Sequence, residues 1–256
     1  MLHVLALDFP PVAHLIRWPN FWLKNSKYFA VNKVVLEMWL AVIVVGAFYF
    51  IAARRKALVP TGVQNIAEMA VEFVQDGIIL QTMGPEGLAW TPFMLMLFSF
   101  IFVLNVFEII PFLQMPVTAR MALPMFMALL VWVLYNAFGI AKQGPWHYLK
   151  SSVAPPGVPK AMYILVVPIE FITHFFVKPF ALALRVFANL LAGHLILITF
   201  AVLSTALFTS TKVGAILPGA LLIALTGFEL LVSFLQAYIF TILTAVFIGG
   251  AMHPEH

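Results

Sequence analysis

From Val34 to Ala53 the chain is apolar with few interruptions, and it stops at Arg54, Arg55 and Lys56. A membrane-spanning helix needs roughly 20 mainly apolar residues, so this stretch predicts a first span over 34–53. Pro92 to Phe112 and Met121 to Ala141 predict a second and a third, separated by the short polar turn Gln114 to Arg120. Between the first two lies a different pattern. Thr61 and Gln64 have capping-box spacing, and the residues that follow divide into Glu68, Glu72, Gln75 and Asp76 on one side and Ile66, Ala70, Phe73 and Val74 on the other. That division predicts an amphipathic helix over about 62–82 lying at the membrane surface; a helix packed on another subunit is the alternative. Lys142 to Lys160 is basic and proline-rich, and predicts an extramembrane loop.

Ala161 to Phe208 is apolar almost throughout, and Gly214 to Met252 is apolar again after the turn Thr209-Ser210-Thr211-Lys212. At about 1.5 Å per residue, a helix of the first length exceeds twice the roughly 30 Å hydrocarbon core. Pro168 and Pro179 allow bends, but only Lys178 interrupts the run, so no polar turn divides it into two ordinary spans. The pattern predicts two long, tilted helices forming a hairpin. The expected fold is therefore all-α and polytopic: an N-terminal extramembrane segment 1–33, then one membrane domain 34–256. That domain holds five spans (34–53, 92–112, 121–141, 161–208, 214–252) and the interfacial helix.

Composition supports this. Of 256 residues, 63% are hydrophobic and 9% charged, against roughly 25% charged in soluble domains. The net charge of +4 is small, and the basic residues gather in short loops without interleaved aromatics, which gives no case for nucleic acid. With no cysteine, disulfides, iron–sulfur clusters and thiol catalysis are excluded. The first residues lack a basic leader, so no cleavable signal peptide is expected. Arg54, Arg55, Lys56, Lys142, Lys150 and Lys160 on one side nearly match Arg17, Lys24, Lys27, Lys33, Arg120 and Lys212 on the other. The concentrated Arg54-Arg55-Lys56 cluster favours an outside N terminus and an inside C terminus.

Chemistry enters with KPFALALRVFANLLAGHL, residues 178 to 195. A charge at the bilayer centre costs about 2.5–3.5 kcal/mol on insertion scales, so Arg185 needs a reason. A helical wheel places His174, Lys178, Arg185 and Asn189 on one side. Ala181, Ala188 and Ala192 flank Arg185 and let another helix approach closely. His194 lies about half a rotation away, and its natural neighbour is the last helix, where Glu229, Ser233 and Gln236 share one side. A guanidinium stays protonated, so Arg185 acts as a fixed charge that attracts carboxylates. The bland readings are an ion pair of Arg185 with Glu229, a packing role for His194, Lys178 reaching to the interface, a solvated Glu108 at the end of its span, and Asn189 and Gln236 as interhelical glue.

At these residues the sequence resembles subunit a of the rotary F-type ATP synthase. The resemblance rests on KPFALALRVFANLLAGHL and FELLVSFLQAYIFTILTAVF, supported by VPTGVQNIAEMAVEFV and NVFEIIP, and covers roughly Val59 to the C terminus. It implies that Arg185 is the essential arginine facing the carboxylates of a rotating c-ring, with Asn189 and Gln236 beside it. Many bacterial members carry Glu at the position of His194 and His at that of Glu229; here the two are exchanged, as in the mitochondrial branch, which suggests direct contact between them. Glu108 falls, with Asn105, in the family's Asn-x-x-acid-x-x-Pro turn. Glu170 matches the acid near the start of the long helix, although its spacing to Pro179 is one residue longer than the family pattern.

The function implied is a proton-translocating stator subunit, not itself an enzyme. An outer pathway would use Glu108, Asn189, His194, Glu229 and Gln236, and an inner one Glu170, His174 and Lys178. The implied partners are the c-ring, the peripheral-stalk b subunits, the rest of the complex and the bilayer of a bacterial plasma membrane. No cofactor or metal is expected. A stand-alone transporter would be expected to show an inverted repeat and its own counter-ion for Arg185, and a haem subunit would need paired histidines on facing helices; the sequence displays neither pattern.

Overall fold

The computed structural model describes residues 32–54, 57, 59–110, 113, 117–154, 159, 162–210 and 213–252. Most of the segment 1–33, and the basic residues Arg55, Lys56, Lys160 and Lys212, lie outside the described residues.

Five described helices are long and apolar enough to cross a membrane. Helix α1 spans Lys33–Arg54, and α2 spans Val63–Val74, continuing through a π-turn Gln75–Ile79 and a last turn Leu80–Thr82. A 3₁₀ segment Pro85–Trp90 leads into α3, Thr91–Val106. After the 3₁₀ turn Val117–Ala119 come α4, Ala122–Gln143, and the short α5, Pro145–Val153. Helix α6, Tyr163–Ile172, runs through a π-turn Thr173–Val177 into α7, Lys178–Ser210, and α8 is Ile216–Met252.

Three details differ from the sequence reading. The second span begins earlier and ends at Val106 rather than at Phe112, because residues 107–110 form turns ahead of Pro111, whose missing N–H and restricted predecessor disfavour continuing the helix. The expected loop 142–160 contains α5, started by Gly144 at φ 81° followed by Pro145 at the first helical position. The capping box does not form. Gly62, at φ 59°, caps α2, so Gln64 stands at the second helical position and its amide instead donates to the Ala57 carbonyl at 3.0 Å and to Glu68 Oε1 at 2.8 Å.

Helices α3, α4 and α8 form the centre, with one face each of α1 and α7 packed on them. The rings of Phe73, Phe98, Phe102, Phe234 and Tyr238 join α2, α3 and α8 in one aromatic cluster. Outward positions stay apolar, as Trp39, Ile43, Phe126, Ile164 and Ile223 show, the surface expected against lipid rather than water. The 46-residue run Tyr163–Phe208 stays helical past Pro168 and Pro179. At about 1.5 Å per residue it is about 69 Å long, so it and its partner α8 form the long hairpin.

Candidate functional site

One face of α7 turns inward and the other is left open. Leu182, Ala183, Val186, Leu190 and His194 are buried, while Ala181, Arg185, Ala188, Asn189 and Ala192 are exposed. Among the described residues Arg185 forms no ion pair with an acid of this chain, and Glu229 sits elsewhere. The guanidinium is thus displayed on a strip of alanines. Asn189 is anchored at its side: its Nδ2 donates to Gln236 Oε1 of α8 at 2.9 Å.

Behind that strip, α3, α7 and α8 enclose a polar cluster. His194 Nδ1 lies 3.2 Å from Glu108 Oε1. Glu229 reaches α7 one residue away, with its carboxylate against Gly193 so closely that a Cβ there would collide with it. The carboxylates of Glu229 and Glu108 are within Coulombic range of each other. The expected direct contact of His194 with Glu229 is therefore replaced by His194 with Glu108, and Glu229 occupies the space that a glycine leaves. Asn105 is fully buried; it accepts from Thr118 Oγ1 at 3.2 Å and its amide lies 3.5 Å from the Ser233 carbonyl. Apart from the His194 contact at Glu108 Oε1, Glu108 Oε2, Glu229 Oε1, Ser233 Oγ and Gln236 Nε2 are buried without a hydrogen bond among the described residues. Such groups are costly unless proton, water or partner completes them.

A second cluster lies near the other end of the bundle. Lys178 Nζ is 3.3 Å from His174 Nδ1. An ammonium only donates, so Nδ1 accepts and the imidazole proton sits on Nε2. That nitrogen faces Tyr148 Oη at 3.2 Å and Asn136 Oδ1 at 3.3 Å, and Tyr148 Oη itself donates to Asn136 Oδ1 at 3.1 Å. Burial raises the Tyr148 phenol above its ordinary range, which keeps it a donor. Tyr135 Oη donates to the His174 carbonyl at 3.1 Å, and half-buried Glu170 lies within Coulombic reach of Lys178.

The single stripe of His174, Lys178, Arg185 and Asn189 is split. A π-turn closes i to i+5 and takes up one additional residue, which rotates everything before it relative to α7. His174 lies inside the π-turn and is buried, whereas Arg185 is exposed. Asn136 and Tyr148 are the residues that the sequence reading missed. Asn136 is a polar residue inside an apolar span, which is a usable signal; Tyr148 gave none.

These features define an all-helical, multi-pass membrane protein with ionisable side chains set between its spans. Residues 35–249 match the family model described as ATP synthase A chain. The chain is 42% identical over 228 residues to ATP synthase subunit a of Frankia alni, covering 88% of this chain and 79% of that one. It is 40% identical over 263 residues to the Rhodococcus erythropolis subunit a, covering 99% and 91%, and 42% identical over 222 residues to that of Rhodopseudomonas palustris, covering 86% and 87%. The chain belongs to the ATP synthase A chain family. Its role is that of a membrane subunit of the F-type ATP synthase, in ATP synthesis and proton transport, within a complex of ATP synthase subunits.

Proposed function

We propose that this chain is the non-catalytic stator of a rotary proton motor, supplying two offset half-channels against a ring of c subunits. During synthesis protons enter from outside past Glu108, His194, Glu229 and Asn189, with Gln236 holding Asn189. They neutralise a ring carboxylate, which then travels through lipid, and leave after nearly a full turn through an inner route near Glu170, His174 and Lys178. Arg185 separates the two routes. Its permanent charge repels protons and draws each arriving carboxylate into the ionised form. At 4 Å and an effective dielectric near 20, such a pair gains about 4 kcal/mol. The membrane potential supplies about 2.3 kcal/mol per charge per 100 mV, so the field can make and break the pair. In this reading the N terminus is outside, the C terminus is cytoplasmic, residues 34–256 act as one membrane domain in a bacterial plasma membrane, and peripheral-stalk b subunits hold the chain still.

The observation that carries the reading is Arg185, exposed on an alanine strip with no counter-ion among the described residues of its own chain. Alanines on a membrane helix allow close approach of another helix, and the missing counter-ion is the carboxylate that approach would bring. Arg185→Ala is expected to abolish ATP-driven proton pumping by the assembled complex in vesicles. Normal coupled pumping by that variant refutes the role.

A further inference from the structure

Helix α1 turns Val34, Glu37, Ala41 and Val45 inward, the spacing of a stripe packed on a core. Glu37 is the exception in that stripe. It is 2% exposed, and both its oxygens are buried without a hydrogen bond among the described residues. Lys33, one turn earlier, stands 3.7 Å from its Oε1 and also donates to the Leu113 carbonyl. That second bond ties this end of α1 to the segment following Glu108. Glu37 therefore sits at the same end of the bundle as Glu108. It lies only four residues into the helix, about 6 Å of rise from its start, close to where a span meets water.

A glutamate facing protein inside an apolar stripe costs several kcal/mol if it only packs, and an apolar side chain would fill the place without that penalty. The 3₁₀ turn Val117–Ala119 packs against α1, and its Thr118 bonds Asn105, whose amide reaches the Ser233 carbonyl one turn from Glu229. The Thr118–Asn105–Ser233 bonds thus lead from the turn packed on α1 toward the Glu108, His194 and Glu229 cluster. The charged groups on the elements packed at this end are Lys33, Glu108 beyond α3, and Arg120 after the 3₁₀ turn; α3 itself carries none. On α2, Glu68 and Glu72 lie toward the opposite end of α1, where Gln64 binds Ala57.

We propose that Glu37 is a further proton-binding site of this subunit, the outermost carboxylate through which protons from water reach Glu108. The inference rests on the proton-channel reading above. In each step a hydronium O–H bond breaks as the Glu37 O–H bond forms, and the proton then passes through water to the next carboxylate. The Glu37 carboxylate returns with Lys33 beside it to balance the charge.

The test uses the whole complex in proteoliposomes, with ATP synthesis driven by an imposed gradient while the pH on the outer side is varied. Glu37→Gln is expected to lower the rate at neutral outer pH about tenfold and to remove the outer-side limb of the pH profile. Lys33→Gln leaves the carboxyl in place but removes the cation favouring its ionised form, so the midpoint of that limb is expected to move about one unit to higher pH. Superimposable profiles for wild type and both variants overturn the site, as does a smaller yield of complex with unaltered rate and midpoint per assembled complex. If Glu37→Gln prevents assembly, the Lys33→Gln midpoint decides: a shift supports the site and no shift overturns it. Arg185→Ala separates the two levels of argument. Normal pumping by that variant removes the rotary reading itself, whereas a dead Arg185→Ala beside unaffected Glu37 and Lys33 variants removes only this inference.

Discussion

The two polar clusters of the bundle differ in how completely their hydrogen bonds are made. Around His174 the ring nitrogens, Tyr148 Oη and Asn136 Oδ1 all have partners at 3.1–3.3 Å. Around Glu108 and Glu229, His194 is the one partner at such a distance, 3.2 Å from Glu108 Oε1, and Glu108 Oε2, Glu229 Oε1, Ser233 Oγ and Gln236 Nε2 are sealed from solvent with no hydrogen bond among the described residues. A satisfied network has one preferred arrangement and resists change. An unsatisfied one gains free energy when a proton or water arrives, which is what a group that passes protons requires. In the reading proposed above, the Glu108 end is the one readily loaded and unloaded, while the inner route runs beside a network held in one shape, with α5 latched over it by Tyr148.

Glu229 is where the two clusters are expected to differ most. Glu229→Gln is expected to cut proton flux through the assembled complex about 100-fold, about 2.7 kcal/mol, while His174→Asn costs much less; equal losses would erase the distinction. Gly193→Ala drives a methyl group into the Glu229 carboxylate, and overpacking of this kind is expected to destabilise the complex by about 2 kcal/mol, visible as a lower melting temperature in detergent. A double-mutant cycle sharpens the geometry. Changes at His194 and Glu108, in contact at 3.2 Å, are expected to couple by about 1.5 kcal/mol in flux, and those at His194 and Glu229 by less; the reverse ranking would restore the direct pair read from the sequence. The smallest effect belongs to the satisfied cluster. Tyr148→Phe removes one hydroxyl from a closed network and is expected to cost about 1 kcal/mol of stability, with flux close to wild type.

The long apolar runs made the five spans legible, since 20 such residues have few other uses. Pairing was less so. Periodicity says which residues share a face, but not which face of a neighbour they meet, so the sequence brought His194 to α8 without showing that Glu108 takes the contact. Only Gly193 hinted that a bulky group of α8 needed room there. The wheel over residues 174–189 failed for a sharper reason: it assumes 3.6 residues per turn throughout, and the π-turn violates that. The short α5 was hidden because Gly144 and Pro145, which start it, read as loop residues until their conformations are known.

The π-turn of residues 173–177 also separates two demands on one rod. Within it, His174 and Phe175 dock on α4 and α5; downstream, Arg185 stands on the exposed face of α7. A wider turn acts like a vernier between the two, so that a chain can lengthen by a residue and re-aim His174 without swinging the guanidinium. The same rod can then carry a settled anchor at one end and a working contact at the other, each tuned on its own.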